Sequence, residues 1–108
     1  MNMAYRETTR KTSCRMCTEV LAILSEETNR NGYINRVVFD YIRAYELNKL
    51  PAEFLPMNYD AGKKKGFPYL LLLRESLYLK PAQYGFKLSD MINQAILWKQ
   101  TTNPNKKP

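Results

Sequence analysis

The chain has 108 residues, 44% of them hydrophobic, which is the length of one domain and enough apolar material for a core. Seventeen Lys and Arg against ten Asp and Glu give a formal charge of +7, an excess that attracts polyanions and makes nucleic acid the first partner to consider, with plain solubility as the alternative. The absence of histidine removes imidazole bases, Ser-His-Asp and Cys-His pairs, and histidine metal ligands.

Other routes to chemistry are also missing. The acidic residues form no evident catalytic pair, and Gly62–Gly66, around Lys63, Lys64 and Lys65, lacks the spacing of a phosphate-binding loop, so an enzyme is not expected. No apolar run approaches the roughly 20 residues that span a bilayer. The N-terminus, with Arg6, Glu7 and Arg10 among polar residues, lacks an apolar leader, and a cytoplasmic protein is expected.

Residues 1–10 are polar and basic and are expected to form a flexible arm. Residues 11–17, Lys-Thr-Ser-Cys-Arg-Met-Cys, alternate long polar with small or apolar side chains, the period of a short strand. That period places Lys11, Ser13 and Arg15 on one face and Thr12, Cys14 and Met16 on the other. From Thr18 the period turns helical through Val20, Leu21, Ile23 and Leu24, and Asn31-Gly32 reads as the stop. A second helix carries Ile34, Val38, Tyr41, Ile42 and Tyr45 on its apolar stripe, with Asn35 as its expected N-cap and an end near Asn48.

Residues 49–66, broken by Pro51, Pro56, Gly62 and Gly66, read as a loop. In the run that follows, leucine favours helix over strand and Pro68 suits a first turn, so 69–79 is predicted helical, with a buried strand pair around Arg74-Glu75 as the alternative. Ser89 is expected to cap a last helix bearing Met91, Ile92, Ala95, Ile96 and Trp98. Thus 67–100 reads as a helical extension and 101–108 as a disordered tail.

A single N-terminal strand exposes two unpaired edges, and pairing with the same strand of a second chain would satisfy one of them through a two-fold axis. The segment from Lys11 to Leu21, then Asn31-Gly32, then Ile34 to Ile42, resembles a ribbon-helix-helix domain of the Arc repressor and plasmid copy-control type, over about residues 9–48. The resemblance implies a ribbon-helix-helix intertwined dimer over 11–48; with the helical C-terminal extension that periodicity gives, the fold expected is mainly α with one short N-terminal β-strand. It implies that Lys11, Ser13 and Arg15 contact bases of double-stranded DNA, that Asn35 and Arg36 hold phosphate, and that Thr12, Cys14, Met16, Val38, Tyr41 and Ile42 form the ribbon and core of a homodimer. Lys63, Lys64 and Lys65 are placed near phosphate by charge alone.

Cys14 and Cys17 form a C-x-x-C pair, but two thiols without histidine make half a zinc site, and structural packing is the better reading. No metal, cofactor, membrane or small-molecule effector is expected. The function expected is a sequence-specific DNA-binding regulator, in particular a transcriptional repressor of a plasmid, phage or other mobile element. A relaxosome or partition accessory protein is the alternative on the same domain. A protein-interaction module without DNA binding is the rival from another class.

Overall fold

The computed structural model describes residues 8–59 and 66–102. Strand β1 spans Thr9–Met16, and its burial alternates as the sequence requires. Cys14 and Met16 are buried, Thr12 is half-buried, and Lys11, Ser13 and Arg15 face out. The strand ends at Met16, so its alternation does not carry on to Cys17, which is also buried and opens helix α1, Thr18–Ser25. The Cys17 carbonyl accepts the first helical bond, from the Leu21 amide at 3.0 Å.

The first turn falls earlier than Asn31-Gly32. Helix α1 closes at Ser25, and α2 runs over Arg30–Glu46. Its N-cap is Asn29, whose side chain accepts from the Gly32 amide at 3.0 Å; Asn35 lies well inside the helix. Gly32 therefore starts a helix. A Cβ there would sit 2.6 Å from the Asn29 Nδ2, so the glycine gives the cap room to close. Ile34, Val37, Val38, Tyr41 and Ile42 make the buried face of α2. The helix ends at Glu46, close to the expected Asn48, which takes the left-handed conformation with φ 62°.

Two tight helical turns follow, Ala52–Phe54 and Pro56–Asn58. Side chains from the helices hold them down: the Tyr41 hydroxyl donates to the Phe54 carbonyl, and the Gln94 amide donates to the carbonyls of Glu53 and Leu55 at 3.0 and 2.8 Å.

The leucine run is a strand, not a helix. Strand β2 spans Phe67–Arg74 and helix α3 begins at once, Glu75–Gln83, with the junction at the dipeptide where a strand was the alternative. Leu71 and Leu73 are buried while Leu70 and Leu72 are exposed, a period of two. Helix propensity is a weak preference, and a complementary strand edge overrides it. That edge is β1, which pairs antiparallel with β2 in the same chain, setting Lys11 opposite Leu72, Ser13 opposite Leu70 and Arg15 opposite Pro68. The partner strand expected from a second copy thus comes from within.

Helix α3 ends where Gly85, at φ 78°, reverses the chain, with the Phe86 amide bonding back to the Pro81 carbonyl at 2.8 Å. Helix α4, Leu88–Thr102, starts before Ser89, which is inside it and not its cap. The run Met91–Ile96 is buried on every side, since α4 lies among α1, α2, α3 and the ribbon. The architecture is mainly helical with one two-stranded antiparallel sheet. One core joins Val20, Ile34 and Val38 to Leu71, Leu73, Met91 and Ile92, so packing crosses the boundary expected between 48 and 67.

Candidate nucleic-acid interface

The helices cover one face of the ribbon and leave the other open. Because opposed residues of an antiparallel pair share a face, the open side carries Thr9, Lys11, Ser13 and Arg15 from β1 and Arg74, Leu72, Leu70 and Pro68 from β2. All eight are exposed. The three residues expected to contact bases are therefore gathered on one surface. Among the described residues Lys11 and Arg74 enter no ion pair, whereas Arg10 is joined to Glu75, Lys80 to Glu46 and Lys99 to Asp40. The Arg15 guanidinium donates from Nη1 to the Gly66 carbonyl at 2.8 Å, which steadies it without burying it. Gly66 must be glycine for this approach, since a Cβ would fall 2.8 Å from the Arg15 Cβ and 3.0 Å from the Met16 amide.

Arg10 is spent elsewhere. It belongs to the inner series of β1, and its Nη2 lies 3.1 Å from Glu75 Oε2, with the guanidinium 4.7 Å from the Tyr78 ring centre. The hydrogen bond and charge of Arg10 hold the Glu75 carboxyl below its usual range.

Part of each edge of the ribbon is covered by side chains. On the β2 edge, Asn31 Oδ1 accepts from the Leu72 amide at 3.0 Å, Asn35 Oδ1 accepts from the Arg74 amide at 2.8 Å, and Asn35 Nδ2 donates to the Leu72 carbonyl at 2.9 Å. On the β1 edge, Ser89 Oγ accepts from the Arg15 amide at 3.0 Å, and Asn93 takes the Cys17 amide at 2.9 Å while donating to the Arg15 carbonyl at 2.7 Å.

These bonds change the reading of Asn35. It is 8% exposed and its amide is saturated by β2 and the Asn31 carbonyl, so it has no free group for phosphate. Arg36, beside it, is exposed, 5.9 Å from the Tyr33 ring. Lys63, Lys64 and Lys65 lie outside the described residues. Cys14, Met16, Val38, Tyr41 and Ile42 are buried within the core of one chain, and Thr12 is half-buried on the same face of β1. Cys14 and Cys17 are free, buried thiols, and burial pushes the Cys14 thiol up to about 11, which favours the neutral form.

Sequence reasoning missed Arg74, Leu70 and Leu72 on the open face because it wound their segment into a helix. The signal was present in the eight residues between Gly66 and Glu75: an apolar run of strand length, opened by aromatics and a proline. No protein-family model, curated protein or solved structure matches this chain.

Proposed function

We propose that this chain is a sequence-specific double-stranded DNA-binding regulator that enters the major groove with the open face of its ribbon. The role it would play is that of a transcriptional repressor of a plasmid, phage or other mobile element, with a relaxosome or partition accessory protein as the alternative. The observation that carries the reading is the projection of Lys11, Ser13 and Arg15 from one exposed face of a two-stranded ribbon whose other face is packed. Two strands about 4.8 Å apart, with their side chains, suit a groove about 12 Å wide. Arg15 can bridge the O6 and N7 of guanine, Lys11 can reach the same acceptors, and Ser13 can donate or accept.

This proposal keeps the reading face that the ribbon-helix-helix resemblance implies and supplies its second strand from β2. Arg36 and the lysines at 63–65 are assigned to phosphate, which holds the protein on DNA without reading sequence. A homodimer then forms through contacts other than β1 pairing, with two copies seated on neighbouring half-sites.

Selection from random duplex DNA at two salt concentrations tests the function. The expected result is an enriched sequence together with an affinity that falls steeply with salt. A pool that emerges unenriched and unbound at low salt would remove the proposal. The second reading, a protein-interaction module, draws on the exposure of Leu70, Phe67 and Phe39, and it predicts assembly indifferent to DNA.

A further inference from the structure

The open face is chemically divided. Strand β1 gives it Lys11, Ser13 and Arg15, whereas β2 places Leu72 and Leu70 directly opposite Lys11 and Ser13. Leu70 is 72% exposed and Leu72 is 41% exposed, although Leu71 and Leu73 of the same strand are buried. A shallow hollow of about 190 Å³ lies between Lys11 and Asn31, lined also by the 70–72 segment, whose Leu70 and Leu72 side chains are the exposed apolar ones. Exposed leucines cost solubility unless something covers them, and the cations beside them select a polyanion as the cover.

Duplex DNA offers one apolar group in the major groove, the C5 methyl of thymine. We infer that Leu70 and Leu72 are specificity residues for thymine methyl groups, so that β1 reads hydrogen-bonding edges and β2 reads methyls from the same ribbon. The inference rests on the DNA reading above and names what that site recognises. The hollow admits a methyl group beside Lys11, whose ammonium stays free for a neighbouring base edge or phosphate. Discrimination then comes from apolar burial alone, at Leu70 and Leu72, where no hydrogen bond is available to do it.

The test uses the full chain and two short random-sequence duplex pools, one synthesised with thymine and one with uracil at every thymine position. Uracil keeps the pairing edge and deletes only the methyl. The native chain is expected to bind the uracil pool more weakly, by about fourfold for each methyl that becomes buried. The Leu70→Ala/Leu72→Ala variant, checked for native circular dichroism, is expected to bind both pools at the weaker level. Native protein that holds both pools equally well overturns the inference and leaves DNA binding intact. A variant that still prefers thymine also overturns it, as does one whose only change is its sedimentation, which would give the leucines to a second copy. Failure to bind either pool removes the DNA reading itself.

Discussion

Asn35 and Asn93 stand at opposite edges of the ribbon and act alike: Asn35 accepts from the Arg74 amide and donates to the Leu72 carbonyl of β2, while Asn93 donates to the Arg15 carbonyl of β1 and accepts from the Cys17 amide just past its end. Each side chain thereby takes the place of a neighbouring strand. A two-stranded sheet has two free edges, and unpaired edge groups recruit other chains or remain unsatisfied. Here α2 covers one edge at Leu72 and Arg74 and α4 covers the other at Arg15, so both edges are partly satisfied inside a single chain.

The first prediction follows for Asn93, which is buried and bonds to Cys17, Arg15 and Ser89. Asn93→Ala leaves the Cys17 amide and the Arg15 carbonyl short of a partner and is expected to lower stability by about 1–3 kcal/mol in urea unfolding. Asn35→Ala is expected to cost a similar amount and to raise aggregation, since it frees the edge at Leu72 and Arg74. A midpoint unchanged in both variants would mean that water replaces these bonds without loss.

Gly66 sets the approach of β2 to β1. Gly66→Ala places a methyl against the Arg15 Cβ and the Met16 amide, and the backbone must move to take it. A loss of about 1–3 kcal/mol is expected. DNA binding should weaken with it, because the Gly66 carbonyl also steadies Arg15. A fully stable Gly66→Ala protein would contradict the close approach.

Arg15→Ala separates base reading from attachment. On the proposed function it costs about 1–3 kcal/mol of binding and relaxes sequence preference, as the loss of a guanine contact does. Arg36→Ala should instead weaken binding to all sequences alike and flatten the salt dependence. Equal behaviour of the two variants on matched and mismatched duplexes would show that Arg15 does not read.

Alkaline stability reports on Cys14. Its thiol is raised by burial from an ordinary value of 9.0 to about 11. An acid whose pKa is higher in the folded state gives its stabilisation below the unfolded value and loses it as pH climbs toward the folded one. Stability is therefore expected to hold up to about pH 9 and to fall by on the order of 2 kcal/mol between pH 9 and 11. Tyr41, raised by burial from an ordinary value of 10.0, adds to the decline from about pH 10 upward. Cys14→Ala should flatten the curve between pH 9 and 10, below the ordinary tyrosine value; an unchanged slope there would show that Cys14 does not carry it.

Truncation after Asn48 tests where the fold ends. The shortened chain lacks β2 and α4, which supply Leu71, Leu73, Met91, Ile92, Ala95 and Ile96 to the shared core. It is expected to be unfolded by circular dichroism, since so short a remainder buries too little apolar surface. A cooperative thermal transition in that fragment would restore 11–48 as a unit of its own.

What the sequence by itself determined was local and periodic. The alternation from Lys11 to Met16 set the strand and its two faces, and the stripe from Ile34 to Ile42 set the buried face of α2, because residue spacing alone decides which side chains share a face. The last helix was legible from Met91 to Trp98 for the same reason, although its cap was not. Tertiary structure decided the rest. Leu70–Leu73 could satisfy its backbone as helix or as strand, and only the presence of β1 alongside, with Asn31 and Asn35 waiting at the far edge, selects the strand. Asn35 reads as a cap or an anion contact in one dimension, yet its partners are Leu72 and Arg74, brought to it by folding. Sequence spacing carries no information about which distant backbone groups a side chain will meet, and that meeting is what completed the ribbon within one chain.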